Sequence, residues 1–255
     1  MLTIAAKKKH RGIKLNPVER VGMAVVYLIC IMAGILTIVP FLYIVAGSFA
    51  TEKELVERAF FIIPHTFSLN AYKYIIADGS IFRGLANSFF IMIAGTVVNM
   101  AFTTTLAYPL SKSNLKGRNV VLNVIIVTML FSGGMIPNYL VVKGLGLLDS
   151  YWALMLPGAV NAFNLIIVKN FFQELPHELE EAARIDGCSD VGIFAKIILP
   201  LSKPALASVG LFYAVSHWND FFNSLIYLNS TEKFPVQIIL RQIVLLCLLY
   251  TSPSP

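Results

Sequence analysis

Five long stretches of this sequence carry almost no charge, and they decide what the chain can fold into. Residues 21–51, 84–111 and 119–142 contain no Asp, Glu, Lys or Arg. Residues 150–168 are equally free of charge, and 204–231 carry only Asp220. A helix needs ~20 apolar residues to cross the hydrocarbon core of a bilayer. With 57% of its 255 residues hydrophobic and 13% charged, the chain has too little polar sequence to cover five such helices in water. Helix-weakening residues inside the runs (Pro40, Gly95, Gly133, Gly134, Pro137, Pro157, Gly158) are common in membrane bundles. The expected fold is an all-α integral membrane bundle with spans at about 21–48, 86–110, 119–142, 150–170 and 204–228.

The net charge of +6 reads as orientation rather than as affinity for nucleic acid. Residues 1–20, a basic tail, hold Lys7, Lys8, Lys9, Arg11, Lys14 and Arg20 against Glu19. The loop 111–118, "SKSNLKGR", has three basic groups and no acid, whereas 52–83 balances four against four. Cytoplasmic loops carry the basic excess. The N-terminus, 111–118 and 169–203 are therefore expected in the cytoplasm, and 52–83 and 143–150 outside. The first apolar run spans the bilayer and lacks a short core followed by a small-residue cleavage site, so no cleavable leader is expected. Cys30, Cys188 and Cys247 show no metal or redox spacing, and no cofactor is expected.

The cytoplasmic segment interrupts this apolar pattern. "ELPHELEEAARIDG" reads as a short helix, with Pro176 at its first turn, acids near its start and Gly187 at its end. "CSDVGIFAKIILP" reads as a second helix, capped by Ser189 or Asp190 and stopped by Pro200. A helix–turn–helix too polar for lipid, yet apolar along Ala182, Ala183, Ile193, Phe194 and Ile197, is suited to docking against another protein.

Those residues carry a resemblance. Glu181-Ala182-Ala183, then Gly187, Ile197 and Leu199-Pro200 match the spacing of the EAA motif. That motif marks the permease subunits of binding-protein-dependent ABC importers. The stretches "FSGGMIPNYLVVKGLGLLDS" and "ILPLSKPALASVGLFYAVSHWNDFFNSLIYL" resemble the carbohydrate branch, near the oligosaccharide permeases related to the second permease of maltose-type systems. The resemblance implies the bundle of a type I ABC importer in the bacterial plasma membrane. It implies a second permease subunit, two copies of an ABC ATPase, an extracellular or periplasmic solute-binding protein and a sugar substrate. It also implies that Glu181, Ala182, Ala183, Asp186, Gly187, Ile197, Leu199 and Pro200 form the loop, 171–203, that seats on the ATPase. Ala182 and Ala183 permit close approach, and Gly187 supplies a turn with positive φ. No G-x-x-x-x-G-K-[ST] loop is present, so ATP hydrolysis is expected in the separate ATPase subunit.

Polar residues inside spans are candidate functional groups, and many only join helices. Asn161 and Asn164, with His217, Trp218, Asn219 and Asp220, are the candidate substrate pathway. Amides and a carboxylate suit sugar hydroxyls, and Trp218 offers a face on which a ring can stack. Interhelical hydrogen bonding at a dimer seam accounts for the same residues, and both readings stand at this point. Neither metal-ligand spacing nor a nucleophile–base pair is present, so a membrane enzyme is disfavoured. A secondary transporter or channel is the rival class, but no inverted repeat or intramembrane charge pair supports it.

The end of the sequence departs from the resemblance. Six spans are usual in that branch, and after Arg241 only "IVLLCLLY" is strongly apolar, too short to cross. The permease domain is expected over 21–241, with 242–255 an atypical tail and a sixth span lost by truncation.

Overall fold

The computed structural model describes residues 17–58, 60–131 and 133–251. Most of the basic tail, including Lys7, Lys8, Lys9, Arg11 and Lys14, lies outside them. The chain divides into two compact units, 1–77 and 78–255.

In the first unit, α1 (Pro17–Ser48) includes a 30-residue apolar span, Glu19–Ser48. Leu36 and Phe41 on it are exposed, the surface a lipid-facing helix presents. After it come two short helices, α2 (Glu52–Glu57) and α3 (Asn70–Asp78). The Glu54 carboxylate accepts from the backbone N–H groups of His65 at 2.9 Å and Thr66 at 3.3 Å, and from Arg58 at 2.8 Å. The His65 N–H foremost holds that carboxyl below its usual range.

The second unit is organised around α4 (Ser80–Ser111), whose 32 residues at ~1.5 Å per residue exceed the thickness of the hydrocarbon core. Past Arg83 its sequence is uncharged, which allows burial along one face, where Gly84, Ser88, Gly95, Asn99 and Thr103 are small or polar and Ile91 is apolar. Small residues let neighbouring helices approach closely in a membrane.

The expected span 119–142 is not one helix. It is α5 (Arg118–Leu130) and α6 (Met135–Gly144), which meet at 119°. The expected span 150–170 is likewise α7 (Trp152–Met155) and α8 (Ala162–Glu174), with Pro157 and Gly158 between them. These two are corrections to helical continuity, with a common cause. Gly costs a helix about 1 kcal/mol and Pro about 3 kcal/mol relative to Ala, and the breaks contain Gly133-Gly134 and Pro157-Gly158.

The segment expected in the cytoplasm folds as α9 (His177–Ile185), α10 (Asp190–Ile193), a π turn (Phe194–Ile198) and α11 (Leu199–Leu201). The turn at Gly187, φ 79°, and the cap by Ser189, whose Oγ accepts from Gly192 N–H, agree with the sequence. Pro200 does not stop the second helix. The Leu199 N–H reaches back five residues to the Phe194 carbonyl, so the helix widens ahead of the proline and continues through it.

The chain then bends by 82° into α12 (Lys203–Trp218). The expected span 204–228 ends early, because Asn219 and Asp220 separate α12 from α13 (Phe221–Tyr227). Asn and Asp side chains compete with helical backbone bonds. Past a 3-10 turn (Thr231–Lys233), α14 runs over Val236–Thr251 without interruption at Arg241. Its 16 residues fall short of the ~20 needed to cross.

Two apolar cores lie along α4. One packs Ala107 and Leu110 with Leu165, Val168, Phe172, Ala183, Ile193 and Ile198, joining α4 and α8 to the α9–α11 segment. The other packs Ile91 with Val142, Leu154, Tyr227 and Ile238 near the opposite end. There Asn87 donates to the carbonyls of Glu232 at 2.8 Å and Phe234 at 3.1 Å. Asp149, at φ 57°, accepts from Ser230 Oγ at 2.5 Å and from Lys233 Nζ at 2.8 Å. The Lys233 ammonium foremost holds the Asp149 carboxyl far below its usual range. The loops around 149 and 228–235 therefore share one end of the bundle, while 112–118 and α9 share the other.

Candidate functional site

The element formed by α9–α11 presents two faces. Ala183, Ile193 and Ile198 are buried in the core shared with α4 and α8, and Ile197 and Leu199 pack partly against it. Glu181, Ala182, Asp186, Gly187 and Pro200 are exposed. The smallness of Ala183 thus serves this chain's own packing, and Ala182 alone of the pair is left outward. Beside them Ile185 is 87% exposed. An exposed isoleucine among a carboxylate, an alanine and a turn glycine makes a tip that a partner surface can cover.

The element is fastened to α4 by charge as well as by packing. Lys112, just past the end of α4, pairs with both carboxylate oxygens of Glu180, and lies 4.4 Å above the Tyr108 ring. Gln173 on α8 donates to the Ser111 carbonyl at 3.2 Å. Arg184 pairs with Asp190 at 3.0 Å across the turn, which raises the Arg184 pKa further. Neither Lys112 nor Glu180 stands out in the sequence as a site residue; the signal was a buried acid on an otherwise solvated helix, which needs coordinates to see.

A second site lies within the bundle. A cleft of about 730 Å³ opens where the broken helices meet. Asn161, Asn164, His217, Asn219 and Asp220 line it together, as a common pathway requires, and Trp218 does not. The Trp218 ring instead lies 5.2 Å from Phe89, and its carbonyl accepts from Gln237. Half-exposed Phe163 and Phe212 supply the aromatic lining.

The breaks in the helices hold the polar groups in place. The Asn161 Oδ1 caps α8 by accepting from Asn164 N–H at 3.1 Å. Asp220 caps α13 by accepting from Asn223 N–H at 3.3 Å and Nδ2 at 2.9 Å. Tyr213 bridges elements: its hydroxyl bonds Thr103 Oγ1 at 2.7 Å and accepts from Asn161 N–H at 3.0 Å. Asn99 Nδ2 donates to His217 Nε2 at 3.1 Å and to the Gly158 carbonyl at 3.3 Å. Its Oδ1 is buried with no hydrogen-bond partner among the described residues. Asn99 and Asn138, both on the cleft wall, were missed from the sequence. A lone amide inside an apolar span was the available signal.

This helical bundle, with breaks lining a polar cleft and an amphipathic element at one mouth, defines a membrane transport subunit. Residues 101–244 match the family described as binding-protein-dependent transport system inner membrane component. The chain is 61% identical to Protein LplC of Bacillus subtilis, over 84% of this chain and 72% of that one. It is 53% identical to the polygalacturonan/rhamnogalacturonan transport system permease protein YtcP of Bacillus subtilis, over 86% and 77%. Its fold matches a chain in the crystal structure of a bacterial ABC transporter involved in import of the acidic polysaccharide alginate. That match has a TM-score of 0.85 and 32% identity, covering 94% of this chain and 84% of that one.

The chain belongs to the binding-protein-dependent transport system inner membrane component family. It is a multi-pass permease subunit of an ABC importer in the cytoplasmic membrane, where it works with a second permease, ATPase subunits and a solute-binding protein.

Proposed function

We propose that this chain forms half of the pore of an oligosaccharide importer. In this reading residues 177–201 couple the pore to an ATPase, and the amide-lined cleft is the sugar path. ATP is hydrolysed in the separate subunit. The observation that carries the sugar assignment is the Asn99 Oδ1, an acceptor buried without a partner among the described residues, on a wall that also holds Asn, Ser and Tyr side chains, His217, Asp220 and the rings of Phe163 and Phe212. A buried acceptor left unmade costs about 1–3 kcal/mol, and a sugar hydroxyl would satisfy it. Among the described residues the cleft walls contain neither Lys nor Arg, which suits neutral hydroxyl groups.

The names of the relatives support a saccharide cargo, as galacturonan fragments and alginate are all carbohydrate chains. The outward tip around Glu181, Ala182, Ile185 and Gly187 supports the coupling role, since its packed face leaves only that surface for a partner. The test is uptake of labelled oligosaccharides by the complete importer in proteoliposomes. Asn219→Ala and Asp220→Ala should raise the sugar concentration needed for half-maximal uptake while assembly is kept. Unchanged uptake in both would remove the cleft from the sugar path.

A further inference from the structure

A second cavity, of about 750 Å³, lies outside the sugar path, at the cytoplasmic end of α4. Its mouth is basic. Lys112, Lys116 and Arg184 line it together with Asp190. Glu180 pairs with Lys112 and Asp190 with Arg184, so Lys116 carries the net positive charge of the mouth among the described residues. Its walls are apolar, formed by Tyr108, Pro109, Leu115, Val191 and Phe194. Lining reaches from Lys116 down α4 to Thr105. The seven residues from Thr105 to Lys112 correspond to ~10 Å of helix, so the cavity extends from the basic loop into the depth of the span. At its side the Tyr108 hydroxyl is buried with no hydrogen-bond partner among the described residues.

We propose that this cavity holds an anionic phospholipid, with its phosphate at Lys116, flanked by the paired Lys112 and Arg184, and the start of an acyl chain along Pro109 and Phe194. Three features select a lipid over a soluble anion or a peptide. Lys112 and Lys116 lie in the loop that the basic excess assigns to the cytoplasm, and basic hollows on that side attract anionic headgroups. The apolar walls continue inward, where a free phosphate would have nothing to contact. The orphan Tyr108 hydroxyl offers a donor to a phosphate or glycerol oxygen. Because α9 and α10 contribute Arg184, Asp190 and Val191 to the wall, a bound lipid would brace the coupling element against α4.

The experiment is lipid retention by the purified full importer, read by native mass spectrometry with phosphatidylglycerol, phosphatidylcholine and inorganic phosphate as probes. Lys116 is exposed, so Lys116→Glu should fold normally, and Tyr108→Phe removes one hydroxyl. The unaltered importer should retain phosphatidylglycerol over phosphatidylcholine. Lys116→Glu should weaken that retention roughly 30-fold, the scale of reversing one charge beside an anionic lipid surface, and Tyr108→Phe several-fold. Equal retention of the two lipids, or unchanged retention in Lys116→Glu, overturns the proposal. So does full displacement by inorganic phosphate, or cross-linking from Lys116→Cys mainly to the ATPase subunit.

Discussion

Lys112 and Glu180 form an ion pair whose side chains are 18% and 10% exposed, and it joins the end of α4 to α9, the first helix of the proposed coupling element. Because α4 also carries Asn99 on the wall of the cleft, one helix links the proposed coupling tip to the proposed sugar path. Separating a pair this far from water costs on the order of 3 kcal/mol. By contrast, the exposed Arg184–Asp190 pair is screened by solvent and contributes little.

Breaking that link should uncouple the machine. Glu180→Gln is expected to leave the subunit in the membrane and bound to the ATPase, yet lower uptake per ATP hydrolysed about tenfold, an effect of order 1.4 kcal/mol. The reversed pair Lys112→Glu with Glu180→Lys should recover part of the loss. Uptake and ATPase rates measured on the same proteoliposomes distinguish the cases, and a fully coupled Glu180→Gln variant contradicts the link.

Gly187 tests the turn. A Cβ there meets nothing within 4 Å, so any penalty of Gly187→Val comes from the backbone at φ 79°, about 1–2 kcal/mol or more for a β-branched residue. Gly187→Asn tolerates that conformation. Co-purification of the ATPase should fall with Val and hold with Asn. Equal behaviour of the two would show that backbone geometry is not what the tip requires.

Gly95 tests the approach of α4 to α12. An added Cβ would lie 2.6 Å from His217 Nε2, and overpacking of that kind costs about 1–3 kcal/mol. Gly95→Ala should lower both thermal stability and uptake. Gly210→Ala on α12 meets nothing within 4 Å and serves as the control. Matching melting curves for the two variants would refute the close packing.

Asp149 predicts a pH dependence. Its folded-state pKa is depressed by Lys233 and Ser230, so its contribution is present above the ordinary carboxylate value of 3.8. That contribution is lost as pH falls through the lower, folded value. Thermal stability due to this group should therefore be flat from about pH 5 to 8 and decline only in stronger acid. Asp149→Asn keeps a residue suited to φ 57° and should remove that acid limb while lowering the midpoint at neutral pH. An identical acid limb in the variant would assign it to other groups.

Much of this was legible before any coordinates. Uncharged runs gave the membrane class, and the spacing from Glu181 to Pro200 gave the helix–turn–helix and its turn at Gly187. Helical continuity was not legible, because apolar composition sets how long a segment can be and says little about where it breaks. Gly133-Gly134, Pro157-Gly158 and Asn219-Asp220 were visible, but membrane helices tolerate such residues unless neighbours leave a cavity for the freed backbone. Asn161, Asn164, His217, Asn219 and Asp220 do meet around one cleft. Trp218 turns away from it because one residue of rotation on a helix, about 100°, separates neighbours. The split of Ala182 outward and Ala183 inward has the same origin.

In the function proposed above, ATP hydrolysis drives sugar through this subunit by way of the tip at Gly187. The most direct measurement is uptake of a labelled oligosaccharide into proteoliposomes holding the complete importer and its binding protein, with and without ATP, for the natural sequence and for Gly187→Val. The account predicts uptake that requires ATP and falls at least tenfold in Gly187→Val, a loss of about 1.4 kcal/mol or more in coupling. Uptake that proceeds without ATP, or that Gly187→Val leaves intact, would contradict it.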